Sequence, residues 1–168
     1  MSKSLSEFRK SYLIALGRIT VNMNSLEEWT RTWIGLLLDS DFEFVLRRYP
    51  TERYGKILEV FELVFYPKVS DEDYRKDFLV LLEQLKTVYQ KRNTFIHSQW
   101  HFAEDDSFVF RMKHLKNLKV QHDMKPSLDE LNQLADEMAS SISEVGSFIN
   151  EIAPFNPNAR NRLTSRSS

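Results

Sequence analysis

The chain has 168 residues, 42% of them hydrophobic and 28% charged, with a formal net charge of -1 and no cysteine. That length fits one domain that buries its own core. The absent thiols exclude disulfides and thiolate zinc sites, and the near-zero net charge excludes a polycation. The stretch from Met1 to Lys10 is polar, and no apolar run approaches the roughly 18 residues of a membrane span. A soluble, cytoplasmic protein is expected.

Only four glycines and five prolines punctuate the chain, which favours long helices over a sheet-rich fold. Leu5, Phe8, Tyr12, Ala15, Ile19, Met23, Leu26, Trp33 and Leu37 recur mostly at three- and four-residue spacing, predicting one long amphipathic helix with a bend near Gly17. Its aromatic end, Trp29 and Trp33, reads as core packing. A short piece from Asp41 to Tyr49 leads to Pro50. A second helix follows from about Thr51, carrying Tyr54, Ile57, Leu58, Phe61 and Val64, and Pro67 stops it. Ser70, with Asp73 after it, is the predicted N-cap of a third helix whose stripe is Tyr74, Phe78, Leu81, Leu85 and Val88.

After Trp100 the period changes to two. Phe108, Phe110 and Met112 alternate with Val109, Arg111 and Lys113, and Leu118 and Val120 alternate again, predicting a β-hairpin turning near His114 to Asn117. Its aromatics are expected to pack inward and its lysines to face water. Pro126 and a Ser127-Leu-Asp-Glu130 capping box then open a last helix lined by Leu128, Leu131, Leu134, Met138, Ile142, Val145, Ile149 and Ile152. Pro154 ends it. The segment 154–168 is polar, contains Arg160, Arg162 and Arg166 without any acid, and is expected to be disordered. The class is therefore mainly α: a single domain over 1–153, with a small hairpin at about 100–123 inserted before the last helix.

The chemistry concentrates at the end of the third helix. From Leu85 to Lys125 there are eight bases against four acids, a local charge of +4, and all four histidines lie there. Continuing the apolar stripe one heptad past Leu85 lands on Arg92, so a guanidinium interrupts a buried face. It cannot shed its charge and needs a carboxylate, carbonyls, a bound anion or a subunit interface; Glu27 is a candidate internal partner. Asn93 and His97 are i, i+4 and share a face. Arg92 and His97 differ by about 140° around an ideal helix. They converge only if the helix loosens at its end, or if a second copy brings its motif across a two-fold axis. A histidine that moves a proton near neutrality, an arginine that clamps a phosphate and an asparagine that orients either would suit metal-independent phosphodiester cleavage in RNA.

The string Arg92-Asn93-Thr94-Phe95-Ile96-His97 resembles the Arg-polar-(x)3-His signature of the HEPN superfamily. Lys91 to Trp100, KRNTFIHSQW, is similar to the RN-x-x-x-H-S-x-W stretch of small prokaryotic bundle proteins of that group. The resemblance implies an antiparallel four-helix bundle and a homodimer with both motifs in one cleft. It also implies a metal-independent endoribonuclease of the toxin or phage-defence kind, acting on RNA and paired with an antitoxin. Arg92 and His97 would be catalytic and Asn93 auxiliary, with Glu27, Ser98, Trp100 and His101 as supporting candidates. Many members of the superfamily are non-catalytic, so a dimeric interaction or RNA-binding module is the alternative.

His97 and His101 are also i, i+4, a spacing that chelates metals on helices, with Glu104 and Asp105 nearby in sequence. Trp100 falls at or past the helix end, however, and neither a metal nor a cofactor is expected. No Gly-rich phosphate loop or nucleophile elbow occurs.

Overall fold

The computed structural model describes residues 6–38, 40, 42–49, 53–97, 99–103, 109–114, 120–124 and 127–152. It is mainly helical: α1 (Glu7–Leu37), α2 (Phe42–Arg48), α3 (Tyr54–Phe65), α4 (Glu72–Ile96) and α5 (Leu128–Ile152). Between α4 and α5 come β1 (Gln99–Phe102), β2 (Val109–His114) and β3 (Val120–Met124). The segment 154–168 and its arginines lie outside the described residues.

The helices form where their apolar stripes predict. In α1 the buried face is Tyr12, Ala15, Ile19, Met23, Leu26 and Trp33, and Ser6 caps the start, its Oγ accepting from the Arg9 amide at 3.2 Å. The helix runs unbroken through Gly17, whose position is exposed and has no atom within 4 Å of where a side chain would begin. A glycine there only costs backbone entropy. Gly17→Ala is expected to raise stability by about 0.5–1 kcal/mol in a denaturant titration, and a loss would mean that the bend expected near Gly17 exists in solution.

One cap shifts by a residue and another forms where expected. Asp71, not Ser70, caps α4, its carboxylate accepting from the amides of Asp73 and Tyr74 at 2.9 and 3.2 Å. A carboxylate at the positive end of the helix dipole is a stronger cap than a neutral hydroxyl. The capping box at α5 forms as read: Ser127 Oγ accepts from the Glu130 amide at 3.1 Å, and Glu130 accepts from the Ser127 amide at 2.8 Å.

The core is one cluster in which α1, α3, α4 and α5 meet, with α2 packed on α1 through the end of the long helix. Phe65 and Phe78 stack at 3.8 Å, and Phe61 and Phe148 close around them, tying α3, α4 and α5 together. The helix directions depart from an all-antiparallel bundle. Tyr54–Tyr89 and Phe61–Phe78 contacts set α3 against α4, and Lys91–Glu137 at 2.8 Å with the ring contact of Phe78 and Phe148 sets α4 against α5. These pairs are antiparallel. By contrast, Arg18 reaches Asn132 and Asp136, and Asn22 donates to the Ala135 carbonyl, while Tyr12 sits at Leu128. Helices α1 and α5 therefore run in the same sense. The cause lies in the connection through α2, which starts α3 beside Thr30 instead of at the far end of α1.

The expected two-stranded hairpin is a three-stranded antiparallel sheet in the order β1-β2-β3. β1, at the start of the segment expected to hold the hairpin, pairs Trp100 with Arg111 and Phe102 with Val109; β2 pairs Met112 with His122. β1 is held to the bundle by aromatics: Phe102 packs edge-on against Phe8 and Tyr12, and the Arg9 guanidinium donates to the Ala103 carbonyl at 2.8 Å.

Candidate functional site

Helix α4 ends at Ile96, and His97 is its C-cap, with φ -89° and ψ 14°. Its amide still points back, toward the Asn93 carbonyl at 3.4 Å, but the helical twist has opened there. Arg92 Nη1 stands 3.2 Å from His97 Nε2 and donates to Asn93 Oδ1 at 3.0 Å. The three residues therefore meet within one chain.

A guanidinium has donors only, so its contact with Nε2 is a hydrogen bond only when that nitrogen keeps its lone pair. The ring then carries its proton on Nδ1, and Nε2 is the atom prepared to accept another. Arg92 is partly buried; its Nε is buried and has no hydrogen-bond partner among the described residues. A buried donor left open is costly and marks Arg92 as a group waiting for an acceptor.

These residues line a cavity of about 580 Å³. Met23, Asn24 and Glu27 of α1 form one wall, Arg53 and Tyr54 at the start of α3 another, and Tyr89, Arg92, Asn93 and His97 the third. Tyr89 is one turn before Arg92 and Asn93, so all three share a face of α4. Tyr54 is buried and its hydroxyl is bonded to Thr30 Oγ1 at 2.9 Å; burial holds its phenol far above the ordinary range, so it stays neutral and serves as framework.

Glu27 does not neutralise Arg92. It accepts from Arg31 Nη2 at 2.7 Å, and Arg31, only 4% exposed, also donates to the Tyr49 carbonyl. With that carboxylate already paired, the uncompensated charge in the cavity is cationic: Arg92 from α4 and Arg53 from α3, the latter exposed and without an ion pair among the described residues. The two further cavities, between α4 and α5, have the opposite character. Among the described residues, the charged side chains lining them are carboxylates, Glu83, Glu137 and Glu144 in one, the first two paired with Lys86 and Lys91, and Asp77, Glu144 and Glu151 in the other.

The supporting candidates divide. Trp100 does not line the cavity; its indole donates to the Phe95 carbonyl at 3.0 Å and its ring packs on Tyr12 and Phe95. It occupies one of the orphan carbonyls at the end of α4 and fixes the chain just past His97. His101 lies on β1 opposite Phe110 and is not brought to the cavity either. Ser98, Glu104 and Asp105 fall outside the described residues. Among the described residues no three His, Asp or Glu side chains gather as metal ligands would.

Sequence reasoning missed Arg53, Tyr89 and Asn24. Tyr89 carried a signal, its one-turn spacing from Arg92. Arg53 carried none, because only the crossing through α2 brings it to α4. In comparisons with known proteins, the chain matches no protein-family profile, no curated protein and no solved structure.

Proposed function

We propose that this protein is a HEPN-like, metal-independent endoribonuclease of the toxin or phage-defence kind. The observation that carries the reading is the convergence of Arg92, Asn93 and His97 at one cationic cavity, with the Arg92 guanidinium 3.2 Å from His97 Nε2. In the reaction, the scissile phosphate takes the place of His97 as partner of Arg92. Nε2 is thereby released and accepts the proton of the ribose 2′-hydroxyl, whose oxygen attacks phosphorus. The bond from phosphorus to the 5′ oxygen breaks, and that oxygen takes a proton from solvent. Arg92 stabilises the charge that builds on the phosphate, and Asn93 orients the guanidinium. The products are a 2′,3′-cyclic phosphate and a 5′-hydroxyl.

A homodimer that sets two such cavities in one cleft, and an antitoxin partner, belong to this reading through the motif's resemblance. The parallel pairing of α1 with α5 lies outside that resemblance, so the reading stands on the motif and its chemistry. The test is incubation of the native protein with mixed RNAs in EDTA, followed by analysis of product ends. Cleavage leaving cyclic phosphates is the expected result; intact RNA, or cleavage that needs added metal, would sink the proposal.

The second reading is a non-catalytic dimeric interaction or RNA-binding module. It is favoured by one observation: Asn93 and His97 already satisfy Arg92 Nη1 within the chain, as a purely structural knot would.

A further inference from the structure

We propose that Arg53 is a substrate-binding residue of this cavity, holding a second phosphate of a single-stranded RNA across from Arg92, with Tyr89 as the platform on which a base stacks. The proposal rests on the reading of the cavity as an RNA site.

The case begins with what Arg53 does not do. It is the N-cap residue of α3, with φ -63° and ψ 147°, and its side chain makes no capping hydrogen bond. Good N-caps are acceptors, because the first amides of a helix lack partners. Arginine has only donors and cannot cap. Its charge also meets the positive end of the helix dipole, where an anion is favoured and a cation is not. No carboxylate compensates it among the described residues. Arg53 therefore breaks two local rules at once with no compensating side-chain contact among the described residues, and such breaks are expected where a site demands them.

What Arg53 gains is position. It lines the same cavity as Arg92 from another helix, and Glu27, the one carboxylate among the described residues of that lining, is held by Arg31. The cavities on the α4–α5 side show only carboxylates among their described charged lining residues, Glu83 and Glu137 already paired with Lys86 and Lys91, so neither lining offers a cation to an RNA backbone. A strand of phosphates is thus drawn to one mouth and offered two guanidiniums. Tyr89 lines the same cavity, partly exposed, its ring held edge-on at 5.5 Å by Tyr54, which is itself fixed by Thr30. A propped aromatic ring beside cations is how sequence-tolerant sites hold single-stranded nucleic acid.

The experiment uses the full chain and a fluorescent 2′-O-methyl oligoribonucleotide, which lacks the attacking hydroxyl and cannot be cleaved. Binding is followed by anisotropy between 50 and 200 mM salt. Arg53→Ala is expected to weaken binding about tenfold and to lower the slope of log K against log salt by about one, the signature of one lost phosphate contact. Arg53→Lys should keep the slope, because an ammonium still serves as a point charge. Tyr89→Leu should weaken binding with the slope unchanged. Lys76→Ala removes an equal charge about 24 Å along α4 from Arg92 and should change neither.

The assignment is overturned if native protein fails to bind, if Arg53→Ala binds within twofold of native with its slope intact, or if Lys76→Ala lowers the slope equally. Because the probe is uncleavable, Arg53-dependent binding by a protein that cuts no RNA would sink the ribonuclease reading and leave Arg53 in its assigned role.

Discussion

Alanine at His97 will lower RNA cleavage by at least about 100-fold, the contribution expected of a positioned proton acceptor, with the fold unaltered. His97 is an exposed helix cap whose ring touches Arg92, and such surface changes move stability by no more than about 0.5 kcal/mol. Arg92→Ala should cost a similar factor, by leaving the charge on the phosphate uncompensated. Since the two act on one phosphate in one step, the double variant should be little worse than either single one. Arg92→Lys should not restore activity, because an ammonium lacks the planar fork that faces both Asn93 and a phosphate. Cleavage by either alanine variant at the native rate ends the catalytic reading. Loss of melting temperature on removing Arg92 or His97, with no cleavage to lose, would transfer the motif to the structural reading. The catalytic reading gives the opposite pattern: the buried, unpartnered Nε of Arg92 leaves with the side chain, so truncation removes an unfavourable group along with the favourable contacts.

The helices were legible because a core stripe repeats at a fixed period, and Tyr12 through Trp33 or Phe78 through Val88 cannot be satisfied any other way. The last helix was legible at its start too, since Ser127 and Glu130 cap each other locally. β1 was not, because four residues, Gln-Trp-His-Phe, are too few to show a period, and pairing with β2 decides them. Nor was the parallel sense of α1 and α5, which depends on how α2 crosses and not on any local pattern. The site followed the same division. Arg92 was visible as an interruption of an apolar face, and His97 as its neighbour in the motif, but their contact depends on side-chain conformations that residue spacing does not set. The structure gives Glu27 to Arg31 because those two sit i, i+4 on α1, a proximity that outcompetes a more distant partner on α4.

That pair leads to the second large effect. Arg31→Met is expected to destabilise the protein by about 2–3 kcal/mol, below the range for breaking a fully buried pair because Glu27 is one-third exposed. The guanidinium, 4% exposed, joins α1 to the chain after α2 through the Tyr49 carbonyl and holds Glu27 at the cavity wall. Methionine fills much of the volume but leaves a carbonyl and a carboxylate without their donor. The freed carboxylate also changes the cavity, placing a full negative charge on a lining shared with Arg53 and Arg92. Binding of the uncleavable oligonucleotide should therefore weaken at temperatures where the variant remains folded. Glu27→Gln added to Arg31→Met separates the two consequences. Binding should return toward native as the charge is removed, while stability recovers only in part, because the Tyr49 carbonyl is still unpaired. Urea titration measures the first quantity and anisotropy the second. If Arg31→Met is as stable as native, the buried pair does not hold the α2 crossing. If the double variant binds no better than Arg31→Met, the charge of Glu27 does not reach the ligand, and the cationic character of the cavity does not depend on Arg31.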